Sequence, residues 1–161
     1  MAWSLKTPEE TVPFRTLAQI LAAKPGGVHS VRPTDTAHAA LLAMAEKRVG
    51  FLVVLEGDKL AGVISERDYT RKLIPSGRTA QDARVGDLMT REVVSVTLAH
   101  HFRDCVGLMD RHGIRHLPVV DGNRIMGVVS VRDLLREAVL HHDKVLREVE
   151  RERLTIFNSA A

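Results

Sequence analysis

Aromatic rings and cysteine are both scarce here: the 161 residues hold four phenylalanines, one tyrosine, one tryptophan and one cysteine. So few rings leave little to stack on bases, and the lysines and arginines are scattered along the chain. The formal charge of +3 and pI near 9.3 therefore suit anionic partners in general without marking a nucleic-acid surface, and nucleic acid is not expected as a partner. Cys105 stands alone, so no internal disulfide can form. It lies in the run from Phe102 to Met109, which reads as the apolar side of a helix, and its thiol is expected to pack as a small hydrophobe in a reducing compartment. No run approaches the roughly 20 apolar residues that cross a bilayer. The N-terminus, with Lys6, Glu9 and Glu10, lacks the apolar centre of a signal peptide. A cytoplasmic protein with no membrane partner is expected. Also missing are a Gly-rich phosphate loop, a supported Ser-His-Asp order and a carboxylate pair with an evident acid–base role, so no catalysis is expected.

What the chain does have is a repeat. Gly62-Val63-Ile64-Ser65-Glu66-Arg67-Asp68 returns 65 positions later as Gly127-Val128-Val129-Ser130-Val131-Arg132-Asp133. The offset holds backwards through Gly57 and Gly122, Val54 and Val119, Leu52 and Leu117, Met44 and Met109, Ser30 and Ser95. A unit this long, present twice, is no solenoid; it predicts two small units sharing a core, with any pocket at the seam between them.

Periodicity divides the chain into an extended arm over 1–15, a first repeat over 16–75, a linker over 76–84, a second repeat over 85–140 and a C-terminal helix and tail over 141–161. Thr16 is placed as the N-cap of a short helix that Pro25-Gly26-Gly27 stops. Each repeat reads as strand, helix, strand, strand, helix, a mixed α/β unit. In the first copy these are Val28 to Val31, Ala37 to Lys47, Phe51 to Leu55, Lys59 to Ile64 and Glu66 to Leu73; in the second, Val93 to Val96, Phe102 to Arg111, Leu117 to Val120, Arg124 to Val129 and a helix from Val131. That last helix carries Leu135, Val139, His142, Leu146 and Val149 at spacings of three or four, which extends it to about Leu154 and suggests a homodimer contact.

Ser65 and Asp68, like Ser130 and Asp133, have the spacing of a capping box, which alone would account for them. The same geometry serves a ligand: a helix start favours phosphate, Ser can contact phosphate or sugar, a carboxylate can accept from both hydroxyls of a ribose, and Arg can add a charge-assisted contact. Adjacent pairs His100-His101 and His141-His142 point about 100° apart on a helix and are expected on the solvated surface; no metal site is expected.

These motifs, with Asp87-Leu88-Met89-Thr90 and Ile114-Arg115-His116-Leu117-Pro118-Val119-Val120, resemble the cystathionine-β-synthase (CBS) domains in tandem, over about residues 16–140. The resemblance implies two βαββα repeats related by a pseudo-twofold, small sheets flanked by helices, dimerisation, and adenosyl ligands in clefts between the copies. It assigns ribose and phosphate contacts to Ser65, Arg67, Asp68, Ser130, Arg132 and Asp133. Base contacts fall on Val94, Arg115, His116, Leu117 and Pro118, with Thr90 close by, and in the first copy on Lys24, Val28, His29, Gly50, Phe51 and Leu52. AMP is the ligand it favours, with ADP, ATP, NAD(H) or S-adenosylmethionine behind it, in a regulatory module acting on an unknown downstream protein. A ligand-independent dimeric scaffold is the alternative. Because Gly50-Phe51 stands where Arg115-His116 stands, the two clefts are expected to differ in affinity or ligand.

Overall fold

The computed structural model describes residues 12–159. Its elements are α1 (Leu17–Ala22), β1 (Ser30–Val31), α2 (Ala37–Lys47), β2 (Phe51–Glu56), β3 (Lys59–Ser65), a helical stretch α3 over 66–76, α4 (Val85–Leu88), α5 (Phe102–His112), β4 (His116–Asp121), β5 (Arg124–Ser130) and α6 (Val131–Ser159). Thr16 caps α1, its side chain accepting from the Gln19 N–H while Gln19 reaches back to the Thr16 N–H. Both hairpins turn on a glycine at positive φ, Gly57 at 61° and Gly122 at 56°, a conformation open to a residue without Cβ.

The strands run in the order β1-β2-β3-β5-β4. One residue pair, Lys59 with Arg124, joins the two hairpins into a five-stranded sheet. What the resemblance implies as two small sheets is therefore one sheet with a narrow waist at the pseudo-twofold.

The leading strands are shorter than the sequence predicts. In the first copy only Ser30–Val31 is a strand, parallel to β2, with the His29 carbonyl still accepting from the Val53 N–H at 3.1 Å. In the second, Val93 to Val96 is reduced to a single bridge between Val96 and Val119. The cause is Pro118, which stands where Val53 stands and has no N–H to offer the Val94 carbonyl.

The core is split in two, and each half is finished by the other copy's lead-in segment. Ala37, Met44, Leu52, Val54, Ile64 and Tyr69 of the first copy pack with Val85, Leu88 and Met89. Val96, Cys105, Met109, Leu117, Val119, Val129 and Leu134 of the second pack with Leu17 and Ile20. The motif glycines allow this crossing. A Cβ on Gly62 would stand 2.8 Å from the Thr90 carbonyl oxygen, and one on Gly127 would stand 2.7 Å from Leu21 Cδ2.

Three further expectations change. The helix after β3 does not end at Leu73; it passes through a π-helical segment, Tyr69–Leu73, and closes at Gly77 with φ 69°. The C-terminal helix runs past Leu154 to Ser159. His141 is buried, not solvated: its ring stacks on Phe14 at 3.8 Å and its Nε2 lies 2.6 Å from the Val12 carbonyl oxygen. Phe14 also stacks on Phe102 at 4.2 Å, so the described end of the N-terminal arm, residues 12–15, lies against α5 and α6. The rest of that arm, 1–11, lies outside the described residues. Cys105 is fully buried as expected, and burial pushes its thiol up to about 11.

Candidate clefts between the two copies

Each hairpin delivers its second strand into a helix, and the Ser-x-x-Asp turn at that junction is built alike in both copies. Asp68 Oδ2 accepts from the Ser65 N–H at 2.8 Å and the Ser65 hydroxyl at 3.0 Å. Asp133 Oδ2 accepts from the Ser130 N–H at 2.8 Å and hydroxyl at 2.7 Å. The capping role is thus present, and it uses one oxygen of each carboxylate. The other oxygen is where the copies part. Asp68 Oδ1 meets Lys72 Nζ at 2.7 Å and the Thr90 hydroxyl at 3.5 Å. Asp133 Oδ1 has no hydrogen bond among the described residues, while Lys24 Nζ donates to Oδ2 at 2.9 Å and to the Val128 carbonyl at 3.0 Å. Although burial, the largest influence, pushes the other way, Lys24 and the Ser130 donors hold the Asp133 carboxyl below the usual carboxylate range.

The residues around these carboxylates are exchanged between copies. Thr90, from the segment leading into the second repeat, bridges to Val63 with both backbone bonds, at 2.8 and 3.0 Å, and so reaches Asp68. Lys24, from the segment leading into the first, reaches Asp133. The sequence pattern groups Thr90 with the second copy's base strand and Lys24 with the first's; the structure crosses them, for the same reason that it crosses the cores.

At the pseudo-twofold, Phe51 and His116 stack with centroids 4.6 Å apart. Burial first, then the like charges of Arg115, Lys24 and Arg132, push His116 down to about 4, so the ring is neutral near pH 7. Gly50 and Arg115 flank this pair, and their carbonyls accept from the Glu66 and Val131 N–H groups at 3.1 and 2.9 Å. Leu52, Leu117 and Pro118 have fully buried side chains; they pack the core and can offer a ligand only backbone. Val28, His29 and Val94 are half-buried on the leading segments. Arg67 and Arg132 are exposed, and Arg67 donates to the Gly113 carbonyl at 3.0 Å, across the seam at the end of α5.

Two residues with a part in this geometry are absent from the sequence-based set. Lys72 follows Asp68 at the i+4 spacing of a helical ion pair, a signal that the sequence does carry. Glu66 leaves no such signal, since its place beside Gly50 depends on how the strands meet. Concavities of about 540 and 650 Å³ lie instead at the hairpin-turn end, lined by residues such as Arg32, Asp35 and Gly57, or Asp58 and Asn123, a strand's length from both carboxylates. No group of three metal-ligating side chains occurs among the described residues, and no described helix is long and apolar enough to cross a membrane.

Two α/β units crossed through each other's lead-in segments, with a Ser-x-Arg-Asp turn in each, define a tandem domain pair, and the sequence matches agree. Residues 26–75 and 85–140 each match the CBS domain, and the chain belongs to that family. Over 120 residues it is 38% identical to the mitochondrial CBS domain-containing protein CBSX3 of Arabidopsis thaliana, covering 71% of this chain and 58% of that one. The chain thus spans little more than half the length of the first curated relatives it matches. A solved protein with CBS domains from Burkholderia ambifaria shares 39% identity at a TM-score of 0.75, over 78% of this chain and 95% of that one. The CBS domain pair of protein MJ0100, solved in complex with 5′-methylthioadenosine and S-adenosyl-L-methionine, has a TM-score of 0.67 over 77% and 95%; at 22% identity the likeness is one of fold.

Proposed function

We propose that this chain is a sensor of adenosyl ligands, non-enzymatic, taking up AMP first, with ADP, ATP, NAD(H) or S-adenosylmethionine as the other candidates. The observation that carries this reading is that both Ser-x-Arg-Asp turns sit at the seam between copies, each met by a side chain from the opposite lead-in segment, Thr90 at Asp68 and Lys24 at Asp133. A ligand gripping ribose there touches both copies at once, so its binding energy can favour one arrangement of the pair over another. The base would lie along Val28–His29 or Val94, where Pro118 leaves the Val94 carbonyl without its ladder donor. That a pair of this fold holds adenosyl compounds in MJ0100 supports the choice of ligand class.

The test is a thermal shift. AMP should raise the melting temperature, and Asp133→Ala should abolish the rise while lowering the melting temperature of the free protein by far less; no shift with any adenosine compound sinks the reading. A second observation favours self-association through α6: Leu135, Val139, Leu146 and Val149 are exposed at 66%, 56%, 50% and 38% in a stripe with the period of a helix–helix seam. Leu146→Glu should halve the mass seen by light scattering; a free protein already monomeric would remove the dimer. A scaffold that works through this stripe without ligand predicts the dimer and no thermal shift.

A further inference from the structure

The two Ser-x-x-Asp turns are built alike and stand in different charge. A Cβ on Gly50 would stand 2.9 Å from Glu66 Oε2, so that carboxylate occupies the space a side chain would need. At the equivalent positions of the second copy, Arg115 replaces the glycine and Val131 replaces the acid. One spot has exchanged an anion for a cation. The cations elsewhere deepen the contrast. Around Asp68, Lys72 is held by the carboxylate itself and by the Leu88 carbonyl at 2.6 Å, and Arg67 donates to Gly113. Around Asp133, Lys24 is joined by Arg115 and Arg132, both exposed and neither hydrogen-bonded nor ion-paired through its side chain among the described residues. The Arg115 carbonyl accepts from the Val131 N–H at 2.9 Å and Arg132 immediately precedes Asp133, so both arginines arise at the Asp133 turn that Lys24 reaches. The Asp68 turn thus carries a second carboxylate, Glu66, and two cations that are already engaged, whereas the Asp133 turn carries Lys24 and two flanking arginines.

We infer that the clefts sort adenosyl ligands by charge: the Asp133 cleft takes a phosphate-bearing nucleotide, and the Asp68 cleft takes an adenosyl compound without phosphate, a nucleoside, thioether or cationic sulfonium. The inference rests on the adenosyl reading above. Its physical content is that a phosphate needs unengaged donors of positive charge, which Arg115 and Arg132 supply. At Asp68 the same phosphate would meet Glu66 and lysine and arginine donors already engaged by other oxygens.

AMP and adenosine differ by the phosphate alone, so calorimetric titration of the intact chain with each, and with S-adenosylmethionine, separates the possibilities. AMP should bind one cleft, lost in Asp133→Ala and kept in Asp68→Ala; adenosine and S-adenosylmethionine should show the reverse. Exchanging the contrast with Arg115→Gly and Val131→Glu should weaken AMP by about 10- to 100-fold. Adenosine binding at Asp68 should be unchanged, which also shows that the double variant is folded. Added salt should weaken AMP and leave adenosine alone. AMP that survives Asp133→Ala, or AMP and adenosine competing for one cleft, overturns the sorting and leaves the adenosyl reading standing. If none of the three compounds binds, that reading falls and the sorting falls with it.

Discussion

Asp68 and Asp133 occupy equivalent turns, yet each acquires its lysine from a different place. For Asp68 the partner is Lys72, one turn along its own helix. For Asp133 it is Lys24, which comes from the lead-in segment of the first copy and also grips the Val128 carbonyl. The position equivalent to Lys72 in the second copy is Glu137, and it serves the N-terminal arm instead. Only 1% exposed, Glu137 accepts from the Arg15 N–H at 2.9 Å and pairs with the Arg15 guanidinium. A duplicated turn thus keeps its carboxylate and hydroxyl, which the backbone places, and lets the counter-charge come from whichever element passes nearby. What differs between the copies is the surroundings, and on the proposed reading the surroundings set the ligand of each cleft.

Substitution at those equivalent positions tests this contrast most severely. Glu137→Ala leaves Arg15 without its buried partner and a backbone N–H without its acceptor, which should cost about 3 kcal/mol of stability. Lys72→Ala removes an ion pair whose lysine is 40% exposed, and should cost about 0.5 kcal/mol or less. Chemical denaturation of the two variants checks the difference. Equal losses would mean that Glu137 is only another surface pair, and that the arm residues 12–15 add nothing to the second copy.

How much of this can be read in advance follows the same division between local and crossed structure. The hairpins, the Thr16 cap, the α2 boundaries and the Ser-x-x-Asp turns depend on residues within a few positions of one another, and the sequence states them. The repeat offset, visible from Gly62 and Gly127, even locates the seam. What it does not state is the crossing. Nothing local tells Met89 to fill the first core or Leu21 to lie against Gly127, and so sequence alone groups Thr90 and Lys24 with base-contacting strands and does not show that Thr90 reaches Asp68 or Lys24 reaches Asp133. The missing second leading strand is legible in principle, because Pro118 lacks the donor that Val53 supplies. Glu66 beside Gly50 is not, since that contact exists only once β2 and β3 are paired, Phe51 against Ser65.

The stacked rings at the pseudo-twofold offer the smallest and most direct contrast, since Phe51 cannot titrate and His116 can. His116 is held at about 4 in the folded protein, below the ordinary histidine value of 6.5. The folded state therefore binds fewer protons than the unfolded one between those values, and stability is complete above about pH 6.5 and falls as the pH drops towards 4. Between about pH 7.5 and 5.5 the loss should be on the order of 1 kcal/mol. His116→Phe installs the residue that the first copy uses on the other side of the stack and should flatten this part of the pH profile, as followed by melting temperature. An unchanged slope in that variant would assign the acid sensitivity to other groups. Adding AMP supplies a further check: a phosphate placed among Lys24, Arg115 and Arg132 offsets the like charges that depress His116, so its pKa should rise on binding, and adenosine should leave it where it was.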